Sequence, residues 1–205
     1  MARLYEAPGG AIRGRPAGLS GTHPEQEAPA NMTTELEALT ARLQRVEDEL
    51  AIQRVILSYG PAADAGETTR AGALWADDGE YDWDPDQAAL QGPDAVDRML
   101  QGKGHQSLIG EGVAHFAGPP LIELDGDRAT ALSYSFVLRR DAEERRIYVW
   151  RLGAARWEFA RVDGAWRIHR RTHRQLDETG AGRELFGDTL RDGFGRAVLG
   201  SEATS

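Results

Sequence analysis

From Thr34 onward, apolar residues recur at alternating steps of three and four: Leu36, Leu39, Leu43, Val46 and Leu50, with Val55, Ile56 and Tyr59 extending roughly the same stripe. Side chains three and four apart share a helix face, so the spacing predicts an amphipathic helix of about 30 residues whose seam also suits a coiled coil. Gly60-Pro61 interrupts the pattern. Proline lacks a backbone donor and clashes one turn back, so the first helical segment is expected to kink or end there, with a stop at Gly66. Thr69 to Ala76 reads as a short second helix. A third begins at Pro93, suited to a first helical position, with Ala95, Val96, Met99 and Leu100 on its apolar side.

The second half has a period of two. Val113 to Leu124, Arg128 to Leu138, Arg146 to Ala160 and Trp166 to His173 are rich in β-branched and aromatic residues and are separated by turn-forming segments such as Asp125-Gly126-Asp127 and Asp163-Gly164. They predict an antiparallel meander with one buried and one wet face. With a short strand near Glu80 to Trp83, the order is three helices followed by a four-stranded sheet, an α+β domain. Glu184-Leu185-Phe186 predicts a single helical turn in an otherwise irregular end.

Residues 1–31 alternate Gly, Pro, Ser and charge without an apolar period, which predicts a disordered tail. Met32 ahead of Thr33-Thr34-Glu35 would also serve as an initiation site. The expected organisation is therefore a tail over 1–31, one domain over 32–176 and a C-terminal extension over 177–205. The 24 Lys and Arg against 33 Asp and Glu leave a net charge of −9, which argues against nucleic-acid or anionic-membrane partners. No cysteine is present, which excludes thiol nucleophiles, disulfides and Cys-ligated metals. Without an apolar run of membrane-spanning length or a signal-like stretch, the expected location is the cytoplasm.

Other candidate chemistry is sparse. His169 and His173 share a predicted strand face with Arg167 and Arg171, a grouping that reads as solvated or interfacial unless the strand turns toward a cavity mouth, where His173 or Arg174 would bind a carboxylate. The acidic run from Asp77 to Asp86 lacks the spacing of a calcium loop and reads as a solvated loop around one strand. His105 reads as a loop residue without a second ligand at metal spacing, and Gly110-Glu111-Gly112 as a hinge. No metal site and no cofactor is expected.

Three segments carry a resemblance. They are Ile52 to Tyr59 with Asp64 and Leu74-Trp75-Ala76-Asp77-Asp78; Ala114-His115-Phe116 leading into Ile122 to Ala129; and the closing hairpin Phe159 to Ile168. Together the stretch Leu36–Arg174 resembles the SnoaL-like branch of the nuclear transport factor 2-like superfamily. The resemblance implies a cone-shaped α+β barrel with helices packed in a curved, mostly antiparallel sheet. The pattern is most similar to dehydratase-like members such as scytalone dehydratase and bile acid 7-alpha-dehydratase, which eliminate water from a ring with a histidine base held by an aspartate. By position the resemblance implies Asp64 as that aspartate, His115 as the base and Tyr59 as the hydrogen-bonding phenol. A further pocket tyrosine falls near Trp83, an aspartate near Leu138, and an arginine at or next to Arg174. A second histidine has no counterpart around Trp150 to Leu152.

Histidine titrates near neutrality, so a neutral imidazole can take a proton from carbon while a carboxylate fixes its tautomer. Asp64 with Glu67 equally fits a capping box for the second helix, and His115 and Tyr59 taken singly fit core positions. The three together at family positions favour a functional pocket, with Trp75, Trp83, Phe116 and Tyr134 lining it and Arg174 binding substrate. The expected activity is a cofactor-independent lyase or isomerase acting on a small, mostly apolar cyclic or polycyclic molecule, in a homodimer or homotrimer. The alternatives are a non-catalytic binding or dimerisation module of the same fold, and a structural protein resembling the β-subunit of a ring-hydroxylating dioxygenase.

Overall fold

The computed structural model describes residues 30–192 and Phe194. The expected tail over 1–31 therefore lies almost wholly outside the described residues. Contacts divide the chain into two units, Met1–Ala38 and Leu39–Ser205, and the second carries the fold described below.

Helix α1 runs Ala30–Asp64, α2 Thr68–Gly72, α3 Gly92–Gln101, α4 Lys103–Glu111 and α5 Ala181–Arg191. The strands are β1 Trp75–Asp82, β2 Leu90–Gln91, β3 Val113–Ala117, β4 Leu121–Asp125, β5 Arg128–Asp141, β6 Arg146–Val162 and β7 Ala165–Gln175. They form one curved, unclosed sheet in the order β2-β1-β7-β6-β5-β3, with β4 also on β5. Every pairing is antiparallel except β1 with β7. Among the described residues no helix is long and apolar enough to cross a membrane.

Several expectations change. Helix α1 continues through Pro61, because its last turn is fixed from outside: Ala62 and Ala63 are buried and the Asp64 carboxylate is tied to β3. It ends where expected. Gly66 takes φ +74°, its N–H donates to the Ala63 carbonyl, and the Glu67 N–H donates to Ala62, which caps two otherwise unpaired carbonyls. The stripe Leu36 to Leu50 faces outward, whereas the core takes the neighbouring face, Ile52, Ile56, Tyr59 and Ala63. Trp75 and Ala76 belong to β1 and not to the second helix. The run Val113 to Leu124 splits into β3 and β4 at Gly118-Pro119-Pro120, since proline cannot donate to the ladder. His105 lies on α4 rather than in a loop, and α5 is longer than the single expected turn.

The core lies between the inner face of the sheet and α1 to α3, with Trp75, Trp157, Phe159, Trp166 and Ile168 against Ile52, Ile56, Val96 and Leu100. One buried acid anchors the helix to it. Asp48 accepts hydrogen bonds from Trp166 Nε1 at 3.0 Å, Arg161 Nη2 at 2.8 Å and Gln44 Nε2 at 3.2 Å. Arg161 chiefly holds the Asp48 carboxyl below the usual range, against burial.

Candidate active site

The site forms where the end of α1 meets β3. A side chain on Gly60 would place its Cβ 2.0 Å from the His115 carbonyl oxygen, so only glycine permits this approach of helix and strand backbones. One turn later, Asp64 Oδ2 accepts the His115 backbone N–H at 2.7 Å, and Asp64 Oδ1 lies 2.5 Å from His115 Nδ1. A carboxylate only accepts hydrogen bonds, so the Nδ1 of a neutral His115 carries the hydrogen and Nε2 keeps its lone pair. The capping-box alternative is not formed: Glu67 occupies the N-cap of α2 without a side-chain bond, and Asp64 serves His115.

His115 lines a cavity of about 480 Å³ with Tyr59, Tyr81, Trp83, His105, Trp150 and Arg151. A recess of about 170 Å³ shares His115, Tyr81, Trp83 and Arg151 and adds Arg171 and His173. Tyr59 is buried, its ring 5.5 Å from Trp75, 6.2 Å from Tyr81 and 6.5 Å from His115. Burial, with Tyr81 beside it, pushes the Tyr59 phenol up despite the opposing charge of Arg171, so the hydroxyl remains a donor at neutral pH.

His105 stacks on His115 with ring centroids 5.4 Å apart. Burial first, then the neighbouring His115, lowers its pKa. Asp64, His105 and His115 bring donor atoms within 4.8 Å of one another, a set that could ligate a metal. Two ligands on one tetrahedral ion at about 2.1 Å stand roughly 3.4 Å apart. The 2.5 Å contact of Asp64 with His115 is a hydrogen-bond distance and would have to open before both bound one ion.

The basic residues are sorted by a β-bulge. Glu158 pairs with Arg170 and Phe159 with Ile168, so His169 is an extra residue in β7. One unpaired residue inverts the alternation. Trp166 and Ile168 point inward before the bulge, and Arg171 and His173 after it, where Arg171 pairs with the inward Trp157 and Tyr81. The expected shared face of Arg167, His169, Arg171 and His173 is thereby divided. A second bulge leaves Trp150 unpaired in β6, and both it and Arg151 reach the cavity. Burial, then Arg171 and Arg151, pushes His173 down to about 4.

The remaining expected site residues separate. Trp83 lines the cavity. Trp75 lies behind Tyr59 in the core. Phe116 and Tyr134 are corrected: successive strand residues face opposite ways, so Phe116 points away from His115, toward Phe136 and Tyr134 on the outer face. Tyr134 meets Phe186 of α5 there, ring to ring at 5.0 Å. Arg174 borders the recess, but its guanidinium is committed to Asp82 through two bonds of 2.8 Å, and Arg170 joins Asp82 to Glu80. The acidic run thus supplies ion-pair partners as well as exposed loop residues. From sequence alone, Tyr81 and Arg151 receive no role at the site, and His105 is placed in a loop and Arg171 on a solvated or interfacial face. For His105 the signal was its spacing to Leu108 and Ile109, three and four residues on, within a glycine-punctuated segment.

Comparison with known proteins agrees with this architecture. No curated protein matches the chain. An NTF2-like protein with a cystatin-like fold from Novosphingobium aromaticivorans is 37% identical over 73% of this chain and 96% of its own, with a TM-score of 0.70. A variant of Rv3472, of unknown function, from Mycobacterium tuberculosis is 22% identical over 70% of this chain and 79% of its own, with a TM-score of 0.59. A protein from N. aromaticivorans described provisionally as a scytalone dehydratase is 24% identical over 65% of this chain and 87% of its own, with a TM-score of 0.54. The latter two likenesses bear on the fold. The SnoaL-like domain matches residues 44–172, more than half the chain and the whole of the dyad-bearing region, and the chain belongs to that family.

Proposed function

We propose that the chain is a cofactor-independent lyase or isomerase of dehydratase type, acting on a small cyclic or polycyclic molecule. The carrying observation is the Asp64–His115 pair at one wall of an aromatic-lined cavity. His115 Nε2 takes a proton from carbon, and Asp64 holds the ring and stabilises the imidazolium that forms. Tyr59 donates a hydrogen bond to a carbonyl or leaving oxygen. In a dehydration the imidazolium returns its proton to the departing hydroxyl, which leaves as water as the carbon–carbon double bond forms. Trp83, Trp150 and Tyr81 supply an apolar wall that strengthens the polar contacts within it.

An open cavity at the dyad supports catalysis over a structural subunit or a purely dimerising module, which would need no space there. The test is native mass spectrometry of protein from its own host to identify a bound small molecule, followed by turnover of that compound by wild type and His115→Ala. Loss of turnover in the variant is expected. Wild-type turnover by His115→Ala would overturn the mechanism.

A further inference from the structure

We propose that the substrate carries a carboxylate, held by Arg171 with Arg151 beside it. This rests on the enzymatic reading above and names the class of molecule that the same site takes. Arg171 is only 4% exposed, and neither its Nε nor its Nη1 has a hydrogen-bond partner. Its guanidinium lies 4.2 Å from the Trp157 ring centroid, 4.6 Å from Tyr59 and 4.8 Å from Tyr81. Ring faces attract a cation but carry no net charge, so the buried positive charge is cushioned and not neutralised.

The acidic groups around it are engaged elsewhere. Asp82 is bound by Arg174 and Arg170, Asp64 by His115, and Asp84, at the edge of the recess, accepts from the Asp86 N–H and Gln87 Nε2 of its own turn. Among the described residues no ion pair is formed by Arg171 or by Arg151, which stacks on Trp150 at 4.2 Å. Both border the recess that contains His115. The neighbouring His173 adds no charge at neutral pH. Two unneutralised guanidiniums against an imidazole base and aromatic walls suit a ring-bearing acid. A planar carboxylate fits a guanidinium edge, its rings fit the walls, and the positive field favours the enolate that grows when His115 removes the proton.

The test compares naphthalene-2-carboxylate with naphthalene-2-carboxamide, similar in shape but differing in charge, by calorimetric titration at neutral pH and low salt. Wild type is expected to prefer the carboxylate by at least about tenfold, the size of one charge-assisted hydrogen bond. Arg171→Met is expected to lose the preference and Arg151→Gln to weaken it, while Phe116→Ser on the outer face keeps it. If Arg171→Met does not fold, the Arg171 Nε–H resonance of the wild type decides: it should shift on adding carboxylate and stay in place with carboxamide. Equal affinity for the two probes, no binding of the carboxylate at millimolar concentration, or an unmoved Arg171 resonance overturns the proposal. Because binding is read without turnover, failure here beside His115-dependent turnover condemns only the carboxylate.

A separate observation concerns α1. Leu39, Leu43, Val46 and Leu50 are between 45% and 59% exposed, and Leu57, one heptad beyond Leu50, is 42% exposed. With Leu43 and Leu50 at a and Leu39 and Val46 at d, the flanking e and g positions hold Arg42, Glu47, Glu49 and Arg54. In a parallel two-helix pairing, opposite signs meet across the seam at both steps, Arg42 with Glu47 and Glu49 with Arg54. We infer that a second copy of this chain covers the stripe. Sedimentation of wild type should show a dimer or higher assembly, and Leu43→Lys with Leu50→Lys should lower its mass by removing this contact. A wild-type monomer at micromolar concentration, or an assembly unchanged by the two lysines, overturns the inference.

Discussion

Asp64→Asn isolates what the carboxylate does. Asp64 receives two hydrogen bonds from one residue, the His115 backbone N–H at 2.7 Å and Nδ1 at 2.5 Å. Asparagine offers one acceptor oxygen and one NH2 donor at the same two places. If the oxygen faces the backbone N–H, the NH2 faces Nδ1, which must become the acceptor, and the ring hydrogen moves to Nε2. If the amide is reversed, two donors confront each other at the backbone, a part-buried mismatch of about 1–3 kcal/mol. The first arrangement therefore dominates by roughly 5- to 150-fold, converted at about 1.4 kcal/mol per decade. In it, Nε2 is a donor and cannot take a proton. With the loss of imidazolium stabilisation, kcat/KM should fall by about 10²–10⁴, the span that a positioned general base contributes. Long-range ¹H–¹⁵N correlation spectra read the tautomer directly: hydrogen on Nδ1 in wild-type neutral His115, on Nε2 in Asp64→Asn. The same tautomer in both proteins, or undiminished turnover by the variant, would refute the reasoning.

Asp48→Ala strands the buried Trp166 Nε1 and takes one of the two carboxylates that hold Arg161, while Asp127 remains; a loss of about 2–4 kcal/mol is expected, visible as a lower Tm by circular dichroism. Because Arg161 depresses the Asp48 pKa, that stabilisation is present above the ordinary carboxylate range and fades as pH falls through the lower folded value; a variant with unchanged acid sensitivity would argue against this contribution. Gly60→Ala gains helix propensity of about 0.8–1 kcal/mol but drives its Cβ into the His115 carbonyl, so net destabilisation and a perturbed His115 resonance are expected; a variant as stable as wild type would show that strand and helix can part at no cost. His173, held near 4 against 6.5 when free, leaves the unfolded chain binding more protons between those values, so its contribution is complete above about 6.5 and is lost as pH falls toward 4. His173→Gln should flatten the pH dependence of Tm across that window, and an unchanged slope would contradict the burial of its neutral form.

Periodicity carries fold class because it reports which faces are buried, and it located α3 and the long strands without tertiary information. It misassigned the face of α1 because two apolar stripes coexist: Leu39 to Leu50 is the more regular, but Ile52, Ile56, Tyr59 and Ala63 meet the sheet. Asp64 and His115 were legible through resemblance alone, since 51 residues separate them and only the meeting of helix and strand backbones joins them. Arg171 was not legible, because a strand read by strict alternation places it with Arg167 and His169, and a bulge leaves no mark in composition. Phe116 and Tyr134 failed for the complementary reason: aromatic character suggests a cavity wall, but strand parity decides the side.

The bulge at His169 makes the chemistry of the cavity depend on counting as much as on residue identity. Drawing His169 into regular pairing, with no residue removed, would restore simple alternation, leaving Trp166 and Ile168 in the core while every later side chain of β7 changed sides. The recess would then receive Arg170 and Thr172 in place of Arg171 and His173, and Arg170 would abandon its pairing with Glu80. Relatives with a β7 of the same length but no bulge would thus present differently charged cavities above nearly identical cores. Alignment across that point must follow the bulge before substrate preferences are compared.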